Sequence, residues 1–322
     1  MTALAPASSS PASDHQPAAR IDLPKVLGPE QVRSFVDDGF LVMPDLIAPA
    51  ELEALKADAC KIARGGYPCD SIQPLPADTS DGQALRSILC IHQPHYVSPV
   101  MLGFARHARV CAVLSQVTAA HLPWWDGSVK CMQTMLFVKP PGFQGQAWHQ
   151  DEIYIPTRDR SLIGAWIAID DASIANGCLW VIPGSHRSGY LYPQRPHGRA
   201  EEWDASGESF GFDDAGKVPV EVKAGSVVFF NGYLLHCSYK NRSSIYRRAL
   251  VSHYMNAYSL LPWHSYPNQP PTAQDDVRGI IPVAGVDPYA WKGVETPPHG
   301  VFLRKCQANQ SVPASAAVPS AS

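Results

Sequence analysis

From about residue 129 the chain is written in short apolar segments, each cut off by Gly, Pro, Asn or Asp. The segments at 131–139, 161–169, 179–182, 225–230 and 248–254 are candidate strands. Short strands punctuated by turn residues predict an antiparallel sandwich or barrel rather than βαβ units. Thirty prolines suit a loop-rich β protein better than a helical bundle. The expected fold is mainly β with flanking helices, a double-stranded β-helix of the cupin-like jelly-roll type.

The helices are expected ahead of the strands. Gly28-Pro29-Glu30-Gln31-Val32 leads into a short helical pattern that Gly39 is placed to stop. Residues 40–44 read as a short strand, and 48–64 set Leu52, Leu55, Ala59 and Ile62 at helical spacing. A third helix is expected over 100–114. Residues 1–20 and 307–322 are largely Ala, Ser, Pro and polar, too poor in apolar surface to offset the cost of ordering. One domain over 21–306 between two disordered tails is the expected organisation.

Composition narrows the function. A net charge of −3 gives no electrostatic case for nucleic acid or anionic membranes as partners. No apolar run approaches the roughly 20 residues that span a bilayer. The N-terminus lacks the apolar centre of a secretory signal, and the final Ser-Ala-Ser is not a peroxisomal address. A cytoplasmic location is the default expectation. The eight cysteines form no close C-x-x-C pair and are expected to be reduced thiols, some of them packed as small hydrophobes.

The chemistry gathers around three side chains. His149 and Asp151 are two residues apart, and on an extended segment both point to one side of the chain, within reach of one metal ion. With 12 histidines in the chain a His-x-Asp arises readily by chance, and the pair also reads as a surface His beside a solvated Asp. A second His is available at His236, after the apolar strand and turn that begin at Gly225. Two His and one carboxylate make a facial triad with three adjacent open positions. The plainer reading of His236 is a core imidazole bonded to a backbone carbonyl. Arg247 follows eleven residues later. Inside a barrel its charge needs a partner, which a dicarboxylate cosubstrate or a structural Asp or Glu would supply. Arg248 has the opposite parity and is expected at the surface.

Beyond these positions, the segment from Trp148 through Tyr254 resembles the phytanoyl-CoA dioxygenase family of non-heme iron oxygenases. The resemblance rests on Trp148-His149-Gln150-Asp151, on Trp166-Ile167-Ala168-Ile169-Asp170-Asp171-Ala172, and on Asn176-Gly177-Cys178-Leu179-Trp180-Val181-Ile182-Pro183-Gly184-Ser185-His186. The stretch from Gly225 to His236 and the eleven-residue step to Arg247 belong to it as well, and a fainter likeness reaches upstream through Asp38-Gly39-Phe40-Leu41-Val42. It implies Fe(II) at His149, Asp151 and His236, with Arg247 on the distal carboxylate of 2-oxoglutarate and O2 as the second cosubstrate. It also implies Trp166 against the cosubstrate, and Gln133 on a strand facing the barrel as a further candidate. His186 sits in a Pro-Gly-Ser-His turn and is expected to be structural. Relatives that halogenate carry a small residue where this chain has Asp151, so hydroxylation of a small molecule with release of succinate and CO2 is the implied reaction.

Two other classes remain open on the sequence. A cupin-like metal-binding protein or isomerase without oxygenase activity would keep the triad but have no use for Arg247. A structural or carbohydrate-binding β-sandwich would leave His149, Asp151 and His236 apart in space. The primary substrate is not legible. Arg158 and Arg160 after the His-x-Asp motif could meet an anion or be solvated loop charges. Tyr154 and Trp180 could be rim or core aromatics, and residues 287–293 could cover the pocket mouth.

Overall fold

Strand β3 (Val129–Lys139) carries the alternation that sets the architecture: Thr134, Leu136 and Val138 are buried, whereas Gln133, Met135 and Phe137 between them are only half-buried. Side chains of one strand alternate between faces, so this strand has one side in a core and the other on a cavity. The computed structural model describes residues 19–86, 88–261, 278–294 and 300–305. Most of the two expected tails, and Cys306, lie outside the described residues; the seven described cysteines are free.

In chain order the elements are α1 (Pro29–Asp38), β1 (Phe40–Met43), α2 (Pro49–Ala63), α3 (Asp81–Arg86), β2 (Ile88–His92), α4 (Pro99–Ala105), α5 (Ala108–Val117) and β3. There follow β4 (Gln146–His149), β5 (Ile163–Ala168), β6 (Leu179–Val181), β7 (Gln194–Arg195), β8 (Glu208–Ser209) and β9 (Val218–Val220). The last are β10 (Val227–Asn231), β11 (His236–Ser238), β12 (Arg247–Asn256), β13 (Ile281–Ala284) and β14 (Phe302–Lys305). An eight-stranded sheet runs β1-β10-β5-β12-β3-β2-β14, with β13 also on β3, and a four-stranded sheet runs β4-β11-β6-β9. The pairings are antiparallel throughout. This is the mainly β jelly roll that the strand pattern predicts.

The outer face of the large sheet meets the helices. Leu52, Leu55 and Ile62 of α2, and Val110 and Leu114 of α5, share one core with Leu136, Ile167 and Leu250. Burial of each such side chain stabilises the fold by about 1.5–3 kcal/mol. Between the sheets a second core joins Trp166, Ala168, Phe230 and Val251 to Leu179 and Val181 of β6.

Local differences from the sequence expectation have local causes. The single helix expected over 100–114 is two, because Arg106 and His107 leave helical geometry between α4 and α5. His107 there accepts a role outside the helix, stacking on Phe104 and pairing with Glu51 of α2. Gly39 stops α1 as expected, with φ of 81°. A side chain there would also strike His186, whose ring lies 2.4 Å from where a Cβ would sit. His186 is structural, as expected, its Nε2 bonded to the Val36 carbonyl at 2.9 Å.

Candidate functional site

The small sheet puts the two triad histidines side by side, His236 at the start of β11 being the register partner of His149 at the end of β4. Gln150 is extended, with φ of −127° and ψ of 128°, so Asp151 returns to the face of His149 before the chain turns into a 3-10 segment over Asp151–Ile153. One ligand atom from each of the three residues lies within 4.8 Å of the others. Asp151 Oδ1 is 3.5 Å from His149 Nε2 and 3.7 Å from His236 Nε2. Glu152 turns away, as its parity predicts, and accepts hydrogen bonds from Thr157.

The imidazoles are held in one orientation. His149 Nδ1 lies 2.7 Å from the Ala147 carbonyl and His236 Nδ1 lies 2.9 Å from the Leu234 carbonyl. A carbonyl only accepts, so each Nδ1 carries the proton and each Nε2 presents its lone pair to the shared space. The plainer reading of His236, a core imidazole on a carbonyl, is therefore half of what the site needs and no alternative to it. Burial pushes His236 down to about 4, helped by the neighbouring His149, which keeps the ring neutral and able to ligate. Burial by itself would raise the Asp151 carboxyl, but the electrostatic influence of His236 and His253, with hydrogen bonds from His149 and His253, holds it well below the usual carboxylate range.

His253 was missed by sequence reasoning. Its Nε2 lies 2.9 Å from Asp151 Oδ2, so it fixes the carboxylate oxygen that does not face the histidines. A signal was present: 247, 249, 251 and 253 share one parity, so once Arg247 faces inward His253 must do so as well.

All of this lines one cavity of about 580 Å³, together with Gln133, Trp166 and Arg247. Arg247 is buried, its guanidinium lies 5.5 Å from the centre of the Trp166 ring, and its Nε has no hydrogen-bond partner. Among the described residues no carboxylate stands within ion-pair distance of it. Burial pulls its pKa down to about 10. The structural carboxylate belongs to its neighbour: Arg248, expected at the surface, is largely buried and makes a two-pronged pair with Asp170 at 2.7 and 2.8 Å. Period two set the parity of Arg248 correctly, but its face of the sheet is covered by helices and not by water.

Lys139, the register partner of Arg247, is a second buried basic side chain at the cavity. Unlike Arg247 it is satisfied, donating to the Tyr239 carbonyl at 2.6 Å, Ser238 Oγ at 3.0 Å and the Gly177 carbonyl at 3.5 Å. Tyr154 stands at the cavity rim, bonded to Gln194, whereas Trp180 packs against Tyr239 outside the cavity lining. Neither Arg158 nor Arg160 lines the cavity, and neither do residues 287–293. Arg158 reaches Leu261, Arg160 stacks over Tyr233, and Asp287 is committed to Arg278. β14 does contribute to the cavity lining, through Arg304.

The pattern of the family described as phytanoyl-CoA dioxygenase (PhyH) matches residues 35–249, two-thirds of the chain. The chain belongs to the phytanoyl-CoA dioxygenase family. A zebrafish (Danio rerio) phytanoyl-CoA dioxygenase domain-containing protein 1 is 28% identical, over 72% of this chain and 91% of that one. A rice phytanoyl-CoA dioxygenase 1 is 32% identical over 50% of this chain and 55% of its own length, and an Arabidopsis thaliana phytanoyl-CoA dioxygenase is 38% identical over 38% and 43%. Against these two plant relatives the match spans about half of their length. Among solved structures, the chain resembles a non-heme alpha-ketoglutarate-dependent carbocyclase, SnoK, from nogalamycin biosynthesis, at TM-score 0.54 and 22% identity over 73% of this chain and 86% of that one. It resembles EctD from S. alaskensis, a structure with bound Fe, at TM-score 0.54 and 22% identity over 73% and 79%. At that identity the likeness speaks for the jelly-roll fold.

No helix among the described residues is long and apolar enough to cross a membrane.

Proposed function

We propose that this member of the phytanoyl-CoA dioxygenase family is an Fe(II)- and 2-oxoglutarate-dependent dioxygenase that hydroxylates a C–H bond of a small molecule, releasing succinate and CO2. The observation that carries the reading is Arg247, a buried guanidinium with no carboxylate partner among the described residues, opening on the cavity that the triad lines. An unpaired buried cation is costly, and a dicarboxylate cosubstrate gives it a charge-assisted partner. The site fits the metal too: two imidazoles whose Nε2 atoms face the shared space and one carboxylate are the donors that suit non-heme iron with positions left open.

In this reading His149, Asp151 and His236 hold iron, which when bound supplies the oxygen chemistry that the protein's own side chains cannot. Arg247 fixes the far carboxylate of 2-oxoglutarate, and Trp166 forms the wall beside it. Gln133 faces the cavity from β3 and is available to cosubstrate or substrate. His253 orients Asp151, and the apolar walls of Met135, Phe137 and Leu179 limit the water that reaches the reacting atoms. A carboxylate at 151 fills the ligand position that a halide would need, which favours hydroxylation.

The test is an anaerobic titration with Fe(II) and 2-oxoglutarate, followed by the visible metal-to-ligand charge-transfer band in wild type and Arg247→Ala. A band that weakens in the variant supports the assignment and licenses a substrate screen by succinate release. Iron binding without a band would return the chain to a metal-binding jelly roll lacking oxygenase chemistry.

A further inference from the structure

The cavity has three basic side chains in its lining, Lys139, Arg247 and Arg304. Lys139 spends its protons on two carbonyls and a hydroxyl, and Arg247 is taken by the cosubstrate. Arg304 is left. Its one hydrogen bond among the described residues runs from Nη2 to Asp204 Oδ2 at 2.8 Å, so four of the five N–H donors of the fork have no acceptor among those residues.

Register shows what stands beside it. On the large sheet Arg304 pairs with Cys90, which pairs with Phe137, while His92 pairs with Met135. Side chains two apart share a face, so Arg304, His92, Met135 and Gln133 look into the same space, and all four line the cavity. His92 Nε2 is buried without a hydrogen-bond partner among the described residues, and Gln133 lines the cavity beside it. Burial, with the charges of Arg304 and His253, pushes His92 down to about 4, so it offers a neutral ring. Asp204 comes from the opposite wall. Its backbone N–H bonds Gly145 at the entry to β4, and its Oδ1 accepts from the N–H and hydroxyl of Ser206.

Resting on the oxygenase reading above, we propose that Arg304 determines substrate specificity, and that the primary substrate is a compact molecule bearing a carboxylate, taken by the guanidinium donors that Asp204 leaves free. Gln133 and His92 supply neutral hydrogen bonds between that carboxylate and the triad. Asp204 aims the fork and offsets its charge while the cavity is empty. It also disfavours a doubly charged phosphate, which would meet the aspartate at close range. With the cosubstrate in place, a cavity of about 580 Å³ has room for a substrate of about 20 non-hydrogen atoms.

The experiment uses the full chain loaded with Zn(II) and 2-oxoglutarate, which cannot turn over. The probes are small carboxylic acids and their matching primary amides, scored by saturation-transfer NMR. Acids that bind where their amides do not are expected, with Arg304→Gln weakening them by about tenfold to a hundredfold. Asp204→Asn breaks the same ion pair but leaves the cation, so acid binding there is expected to hold or tighten. Equal loss in both variants would mean that Arg304 only ties β14 to the opposite wall, and would overturn the proposal. So would amides binding as well as acids, or no acid binding at all. Failure of wild type to take up 2-oxoglutarate in the charge-transfer titration strikes the oxygenase reading instead, and Arg247→Ala is the variant that registers it.

Discussion

Arg247→Met should make the empty protein more stable and the loaded protein less responsive. Burial pulls the Arg247 guanidinium down from its usual value to about 10. At 1.36 kcal/mol for each pH unit, its charged form bears a penalty of about 3 kcal/mol in the empty site. Methionine keeps much of the stem volume against Trp166 and removes the charge, so most of that penalty is relieved, and Lys139 loses a neighbouring cation as well. In a domain of this size the gain corresponds to a melting temperature higher by roughly 3–5 °C. Ligand response moves the other way. Truncating one partner of a buried charged pair costs about 3–5 kcal/mol, so 2-oxoglutarate affinity should fall at least about a hundredfold. At a cosubstrate concentration that saturates wild type a hundredfold, its stabilisation is about 2.7 kcal/mol, and in the variant it drops to a few tenths. The assay is thermal unfolding with and without Zn(II) and 2-oxoglutarate, on both proteins. A variant that melts lower when empty, yet gains as much from cosubstrate as wild type, would show that Arg247 is a satisfied structural cation and would refute the reasoning.

Other outcomes follow from single contacts. His253→Phe, which removes the hydrogen bond to Asp151 Oδ2, should weaken Fe(II) binding by about 10- to 100-fold in a competition titration, with His253→Gln recovering part of it. His95 is buried neutral against Thr134, its pKa pushed down to about 4 by burial. The unfolded chain takes up that proton at higher pH, so stability should fall by about 3 kcal/mol as pH drops from 6.5 to 4, and His95→Gln should flatten that slope in denaturant titrations. Gly39→Ala forces a side chain into a left-handed backbone and onto the His186 ring, and should cost at least about 1–2 kcal/mol, read as a lower melting temperature.

What was legible in the sequence was what a short period could encode. Two-residue spacing placed His149 with Asp151, apolar runs marked six of the strands, and Gly39 ended the first helix where its positive φ requires. Trp166 stands on β5, far along the chain from His236 on β11 and Arg247 on β12, and the resemblance to a family connected them before any register was known. The parity of β12 contained His253 as well, but nothing short-range distinguishes an imidazole bonded to a carboxylate 102 residues away. β2 is Ile88–His92 and β14 only four residues, and neither shows an apolar–polar alternation that marks a strand in the sequence. Arg304 could not be found without the sheet order that brings β14 next to β2.

The three basic side chains of the cavity make the same point in energetic terms. Residue class alone does not tell Lys139, Arg247 and Arg304 apart, since each is one basic group facing one space. They differ in how much of their hydrogen-bonding capacity the fold already meets. Lys139 has three donors and three acceptors, so a ligand gains little there. Arg304 is met in part by Asp204, so it discriminates among ligands at modest cost to the empty protein. Arg247 is met by nothing among the described residues, and the fold bears that cost in every molecule that lacks a ligand. A penalty of that size is tolerable only where an abundant small dianion is present to remove it, which is why the unpaired arginine, more than the triad, points to a dicarboxylate cosubstrate.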